Sequence, residues 1–255
     1  MKILNINESI LVQSGLEVES SEQLEKDFKS FLQQPIEYRN RYLQKNASGG
    51  LQGYSYMGQT DSKNQYPTDL LHSFVLSDAY GFSFFPNEFQ DFCNNHWERL
   101  TTKIKNLEKK LLQELGFGSL CALYDEHISY LLSCNYYPAM GEVSDGQTSR
   151  LSAHEDISLF TTFVFGSRKG FSYSNEEVFL PLDSELEIVI FPGYFLETIT
   201  KEKIKALKHR VELKDMLQER FSFAFFSIPA PKKNFFDFGL SITSEEYYDN
   251  YLSLF

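Results

Sequence analysis

The stretch LSAHEDISLFT, residues 151–161, sets a histidine and two acids at the head of an apolar, partly β-branched run. On a strand, positions i and i+2 share a face, so His154 and Asp156 are expected to project together while Glu155 points away. That pairing offers one imidazole nitrogen and one carboxylate oxygen to a common point. His209, 53 residues after Asp156, stands in KHRVEL, a second strand-like run. Two histidines and one carboxylate on one side of an iron ion leave three coordination positions open on the other. The bland alternative is a solvated strand lip, and an H-x-D by itself does not exclude it.

Arg220 and Ser222, in ERFSFAFF, repeat the i, i+2 spacing. A guanidinium beside a hydroxyl suits a carboxylate, because it offers paired donors in a fixed plane. An arginine in a surface ion pair is the competing reading. The apolar run around Arg220 makes that reading less comfortable, since a buried charge needs a partner.

These residues need elements to hold them. Ser20 and Ser21, followed by Glu22 and Gln23, read as a helix start, with Leu24, Phe28, Phe31 and Leu32 on one face. Pro35 ends that helix and opens the next, in PIEYRNRYLQ. Residues 46–69 read as loop, with Gly49, Gly50, Gly53 and Gly58, and carry Tyr54 and Tyr56, which with Arg168 are candidates for the pocket wall, core or rim placement being the competing reading. The apolar positions of residues 87–115 step by three and four, which predicts one long helix closed by a left-handed Gly116. After Phe117 the pattern changes to short aromatic or β-branched runs between turn residues, the signature of an antiparallel sandwich or barrel. The tail ITSEEYYDNYLSLF carries a capping box, Thr243 with Glu246, and predicts a short helix placed to cover one mouth of the β-core. The class expected is α+β in a single domain over 1–255: a mainly helical part over 1–118, a β-core over 119–240 and a C-terminal helix over 241–255.

Composition narrows the partners. A net charge of −11 over 255 residues disfavours nucleic acid and anionic membranes. The 24 Phe and 15 Tyr predict a core and pocket rich in rings. Cys93, Cys121 and Cys134 form no paired-spacing motif, which fits a reducing compartment. The opening MKILNINESILVQ lacks the features of a signal peptide, and no apolar run is long enough to span a bilayer. A cytoplasmic protein with a small-molecule substrate is the expectation, with oligomeric state left open. His72, His96 and His127 have no partner at ligand spacing and read as structural or exposed.

Taken in order, HEDISLFT, KHRV and RFS followed by SIP resemble the isopenicillin N synthase-like, 2-oxoglutarate and Fe(II)-dependent dioxygenase superfamily. NYYP at 135–138, the FLQQPIEYRNRY segment and Gly53-Tyr54 extend the resemblance over residues 11–240. It implies a double-stranded β-helix, a jelly-roll relative, with the 87–115 helix packed outside. It implies that His154, Asp156 and His209 bind Fe(II), that Arg220 and Ser222 bind the distal carboxylate of 2-oxoglutarate, and that Tyr137, with Asn135, joins them. O2 is the further cosubstrate, and the reaction implied is hydroxylation or desaturation of a small molecule. Halogenation is disfavoured, because Asp156 fills the position that related halogenases leave for halide. Several segments depart from the pattern: IVIFPGYF keeps only Gly193 of the usual N-x-G-D, Gly170-Phe171-Ser172-Tyr173 replaces G-L-Q-V, and the usual opening strand is missing. The runner-up is an isopenicillin N synthase-like oxidase or cyclase that does not use 2-oxoglutarate. Against it, Leu51 stands where that enzyme's substrate-binding arginine is expected. A metal-free jelly-roll binding module is the non-enzyme alternative.

Overall fold

The computed structural model describes residues 1–46, 51–143, 146–166, 169–176, 178–182, 186–214 and 216–254. Gly49, Gly50 and Arg168, a candidate for the pocket wall, lie outside the described residues. The first half forms β1 (Lys2–Ile6), β2 (Ser9–Glu17), α1 (Glu22–Gln33), α2 (Ile36–Arg39), β3 (Gly53–Ser55), β4 (His72–Ser77), α3 (Asn87–Asn95), α4 (Trp97–Glu114) and α5 (Leu123–Glu126). The second half forms β5 (Ile128–Tyr137), β6 (Ser149–His154), β7 (Phe160–Phe163), β8 (Phe171–Asn175), β9 (Val178–Pro181) and β10 (Glu187–Pro192). It closes with α6 (Tyr194–Ile199), β11 (His209–Glu212), β12 (Arg220–Pro229) and α7 (Ser244–Leu252).

The strands make two antiparallel sheets, one in the order β1-β2-β10-β7-β12-β5-β4-β3 and one in the order β6-β11-β8-β9. Both sheets line one cavity, the arrangement of a double-stranded β-helix. Alternation along β5 and β12 divides the large sheet into two faces. Phe221, Phe223, Phe225, Leu132 and Cys134 belong to the core cluster shared with α1, α3 and α4. The rings of Phe28 and Phe221 lie 6.2 Å apart, and those of Trp97 and Phe225 lie 5.5 Å apart. The intervening residues Ser133, Asn135, Tyr137, Arg220, Ser222 and Ala224 line the cavity instead.

The structure departs from the sequence reading in three places. The chain opens with a β1–β2 hairpin on the edge of the large sheet, and β2 pairs with β10. The signal was present: Ile10, Leu11 and Val12 are buried, and Asn7 takes the left-handed turn conformation (φ 52°) that asparagine tolerates. HSFVLS forms β4, so the large sheet draws four strands from residues 2–77 and the β-core is not confined to 119–240. The long helix is two, broken at His96 (φ −119°) within the weak helix-forming run Asn94-Asn95-His96. The break seats Trp97 against Phe82 and Phe225, with its Nε1–H donating to Asp78 at 3.0 Å. Gly116 follows α4 in the left-handed conformation (φ 81°), as expected. The capping box of α7 is present in both directions, between Thr243 and Glu246.

Candidate metal and carboxylate site

His154 is the last residue of β6 and His209 the first of β11, and they stand opposite each other in the register of the small sheet. Their rings lie 4.4 Å apart. His154 Nδ1 meets the Ser152 carbonyl at 2.8 Å and His209 Nδ1 meets the Leu207 carbonyl at 3.0 Å. A carbonyl only accepts, so each Nδ1 carries the proton and each Nε2 is left as a lone-pair donor. Phe171 stacks on the His209 ring at 5.1 Å and Phe191 meets it edge-on at 5.0 Å, which fixes its plane.

Asp156 lies beyond the end of β6, so strand alternation is not what brings it beside His154. The chain leaves the sheet after His154 and bends through 157–159. The Thr161 hydroxyl donates to Asp156 Oδ2 at 2.6 Å. Asp156 Oδ1 lies 3.3 Å from His154 Nε2, and Oδ2 lies 3.6 Å from His209 Nε2. The bend is clamped from outside by the first turn of α6, where Tyr194 N–H donates to the Asp156 carbonyl at 2.6 Å. Only glycine fits at 193, because a Cβ there would collide with the Ser158 carbonyl oxygen. Helix α7 adds two ties, with Tyr247 OH donating to the Ile157 carbonyl and Tyr251 OH to the Glu155 carbonyl. Tyr251 and Leu252 also line the cavity, as the tail's expected role at the mouth requires.

One ligand atom from each of His154, Asp156 and His209 lies within 4.8 Å of the others. Burial opposes ionisation of Asp156, but the two histidines and Thr161 outweigh it and hold the carboxyl below its usual range. Burial also lowers the His209 pKa, to about 4, so this imidazole is neutral at ordinary pH. For His154 burial acts in the same sense, yet the bond and charge of Asp156 outweigh it and the net shift is upward. Two Nε2 lone pairs and one carboxylate suit a divalent metal such as Fe(II).

The second group comes from the large sheet. Arg220 pairs with Tyr137 and Ser222 with Asn135 across β12 and β5, so the four expected residues form two adjacent cross-strand pairs. The Arg220 guanidinium lies 4.7 Å from the centre of the Tyr137 ring. All three of its nitrogens are buried and none has a hydrogen-bond partner. A buried guanidinium left so is costly, and a carboxylate would satisfy it with paired bonds.

Three contributors escaped the sequence reading. Arg150 is 1% exposed, its guanidinium lies 5.4 Å from the Tyr137 ring, and it donates to the carbonyls of Pro138 and Gln218. It stands four residues before His154 on β6, but the strand's register shifts between Leu151 and His154, so alternation does not relate the two. Thr161 closes the quoted stretch itself, but its contact depends on the bend. Asp69 accepts from the Ser152 N–H and hydroxyl, each within 2.8 Å, and ties the 66–69 loop to β6; nothing local in the sequence announces that. Neither Tyr54 nor Tyr56 lines the cavity: Tyr54 is buried against Phe31 and Phe74, and Tyr56 is exposed. His72 bonds to Tyr54, His96 marks the helix break, and His127 packs on Phe235 and Phe238. The cavity holds about 430 Å³ and reaches from the triad to Arg220 between walls that include Leu71, Phe163, Val211 and Phe226.

Residues 128–229 match the family model of the 2OG-Fe(II) oxygenase superfamily. The matched segment runs from β5 to β12 and contains all three residues of the His-Asp-His cluster. Among curated proteins, leucoanthocyanidin dioxygenase of Malus domestica is 25% identical over 236 residues, covering 88% of this chain and 64% of the relative. The chain thus spans a little under two thirds of that relative's length. Among solved structures, a putative 2OG-Fe(II) oxygenase family protein of Caulobacter crescentus aligns over 97% of this chain and 90% of its own, with TM-score 0.70 and 19% identity. A Neurospora crassa protein, solved in complex with alpha-KG and 5-formyluracil, aligns over 97% and 86%, with TM-score 0.68 and 18% identity. At these identities the likeness concerns the fold.

Proposed function

We propose that the protein is an Fe(II)- and 2-oxoglutarate-dependent dioxygenase that hydroxylates or desaturates a small molecule. One observation carries the reading: the cavity that holds the His154, Asp156 and His209 ligand atoms also holds the Arg220 nitrogens, buried and without a partner. In this reading the two Nε2 atoms and the Asp156 carboxylate hold Fe(II), while Thr161 keeps the carboxylate turned towards it. Arg220 and Ser222 take the distal carboxylate of 2-oxoglutarate, with Tyr137 and Asn135 opposite them on β5. Arg150 holds the Tyr137 ring from behind. Leu71, Phe163, Phe171 and Phe226 keep water from the space between. The bound metal with 2-oxoglutarate and O2 would supply the oxidant for a substrate C–H bond, with succinate and CO2 as coproducts. The leucoanthocyanidin named for one relative and the 5-formyluracil bound to another set the scale of ligand that such a cavity accepts. A reducing, cytoplasmic setting belongs to the same proposal and rests on the unpaired cysteines.

The test is succinate formation from 2-oxoglutarate with Fe(II), ascorbate and a panel of small substrates. Succinate should form in proportion to substrate oxidised. Oxidised product without succinate would overturn this reading in favour of the oxidase that closes rings without 2-oxoglutarate. Failure to bind Mn(II) as a surrogate would favour the metal-free binding module.

A further inference from the structure

Beside the catalytic cavity lies a second chamber of about 350 Å³, lined by Gln52, Ala79, Tyr80, Ile228, Pro231 and Tyr248 among others. Leu51, Lys63, Leu131 and Leu252 line both spaces, so these residues stand between them. Leu252 belongs to α7, whose Tyr251 is tied to the Glu155 carbonyl, so the dividing wall is held by the element that closes over the metal ligands.

Most of the chamber wall is apolar or aromatic. Lys63, Glu245 and Asp249 are charged groups of mixed sign, so they select no ligand charge. Gln52 is different. It is 1% exposed, and neither its amide nitrogen nor its amide oxygen has a hydrogen-bond partner. Burying an amide without partners costs about 1–3 kcal/mol on mutational scales, and a chain rarely leaves both ends so. A group that answers both ends must itself carry a donor and an acceptor side by side. A lactam, an amide locked cis, does this; an open-chain trans amide, an ester or a hydrocarbon does not.

We propose that this chamber binds the distal part of the substrate, and that this part is an apolar group carrying a lactam amide recognised by Gln52. The inference rests on the oxygenase reading of the first cavity, whose substrate must extend past Leu51 and Leu252 to reach Gln52. It makes the substrate longer than one the catalytic cavity alone would hold, with the oxidised carbon at one end and the amide towards the other.

The test uses the lactam 6-pentylpiperidin-2-one as the amide and the matching lactone 6-pentyloxan-2-one as the ester, which differ in the N–H that Gln52 Oε1 would accept from. Their affinities are measured by calorimetry on the Mn(II)- and 2-oxoglutarate-loaded protein and, separately, on the protein without either. The amide should bind at least tenfold more tightly than the ester in both. Gln52→Leu should abolish that preference while leaving Mn(II) and 2-oxoglutarate binding intact, which also reports that the variant is folded. Gln52→Asn, with the same groups on a shorter stem, should keep part of the preference. Equal affinity for amide and ester, binding of neither, or a preference that survives in Gln52→Leu would overturn the inference. Loss of the Mn(II) and 2-oxoglutarate sites in the wild type would instead overturn the reading of the first cavity, and the amide preference of the unloaded protein would still be scored.

Discussion

Strands β5 and β12 present one face to the helices and the other to the cavity, and the two faces differ in how they treat buried charged groups. On the helix side, Glu108 of α4 is 0% exposed, and both oxygens are engaged: Tyr124 OH donates to one at 2.7 Å and Thr162 OH to the other at 2.9 Å. On the cavity side, all three Arg220 nitrogens are buried and have no partner. Residues of adjacent number, such as Phe221 and Arg220, fall into one regime or the other by parity alone. A buried polar group satisfied within the chain is accounted for by the fold. One left unsatisfied marks where the fold is incomplete without a ligand. By that criterion the helix face is closed around Glu108 and leaves a single hydroxyl such as that of Tyr130 without a partner, whereas the cavity face leaves a whole guanidinium so.

The largest effects come from removing what the cavity face offers. Asp156→Ala should lower Mn(II) or Fe(II) affinity by at least about a hundredfold, given that even groups behind a ligand are worth 10–100-fold, and turnover should vanish. Glu155→Ala should leave both within a few-fold, because Glu155 contributes its carbonyl to Tyr251 and not its carboxylate to the triad. Equal losses in the two variants, read by metal titration, would remove Asp156 from the site. Arg220→Leu comes next, with 2-oxoglutarate affinity falling by about a hundredfold, the worth of a paired, charge-assisted contact of roughly 3 kcal/mol. The comparison is sharpest in the unliganded protein, where Arg220→Leu should not lower the melting temperature. A clear drop would mean that the guanidinium supports the fold. Gly193→Ala should be smaller, destabilising the protein by about 1–3 kcal/mol through overpacking and weakening metal binding by displacing the Asp156 bend. Unchanged unfolding and metal titrations would show that the bend gives way freely.

How much of this could be read from the chain depends on whether parity governs a position. Arg220, Ser222, Tyr137 and Asn135 sit on regular strands, so their spacing gave their common face, and only the cross-strand register needed coordinates. His154 and Asp156 were grouped correctly for a reason that does not apply, because Asp156 is off the strand and is brought round by a bend that Thr161, Tyr194 and Gly193 stabilise. Those three contacts are set by tertiary packing, and no local pattern encodes them. Asp69 was invisible for the same reason, since its partner Ser152 lies 83 residues away. Arg150 was not legible either: the register of β6 shifts between Leu151 and His154, so its spacing from His154 does not give its face. The β1–β2 hairpin went unread because β2 does not alternate. Its buried Ile10, Leu11 and Val12 form the continuous apolar run expected of a strand covered on both faces.

The smallest effect tests the helix face. Burial raises the Glu108 pKa from its ordinary 4.5 to about 8, even though Tyr124, Thr162 and Ser227 bond to it. The folded protein therefore keeps this proton over a range in which the unfolded chain has lost it. Its contribution to stability is complete below pH 4.5, declines as pH rises, and is lost through pH 8. Glu108→Gln keeps the shape and does not titrate, and the hydroxyls around it can both donate to its oxygen and accept from its nitrogen. Its unfolding free energy, measured in urea at about pH 5, 6.5 and 8, should fall less steeply with pH than that of the wild type. The variant should gain on the wild type towards the alkaline end by about 1–2 kcal/mol, a fraction of the full linkage because the denatured chain and the bonds to the carboxylate both moderate it. Metal and 2-oxoglutarate binding should not move, since Glu108 is on the other side of the sheet from the cavity. Parallel pH profiles for the two proteins would mean that Glu108 is ionised in the fold, and a buried carboxylate held as an anion by hydroxyls would then make the helix face less complete than its hydrogen bonds suggest.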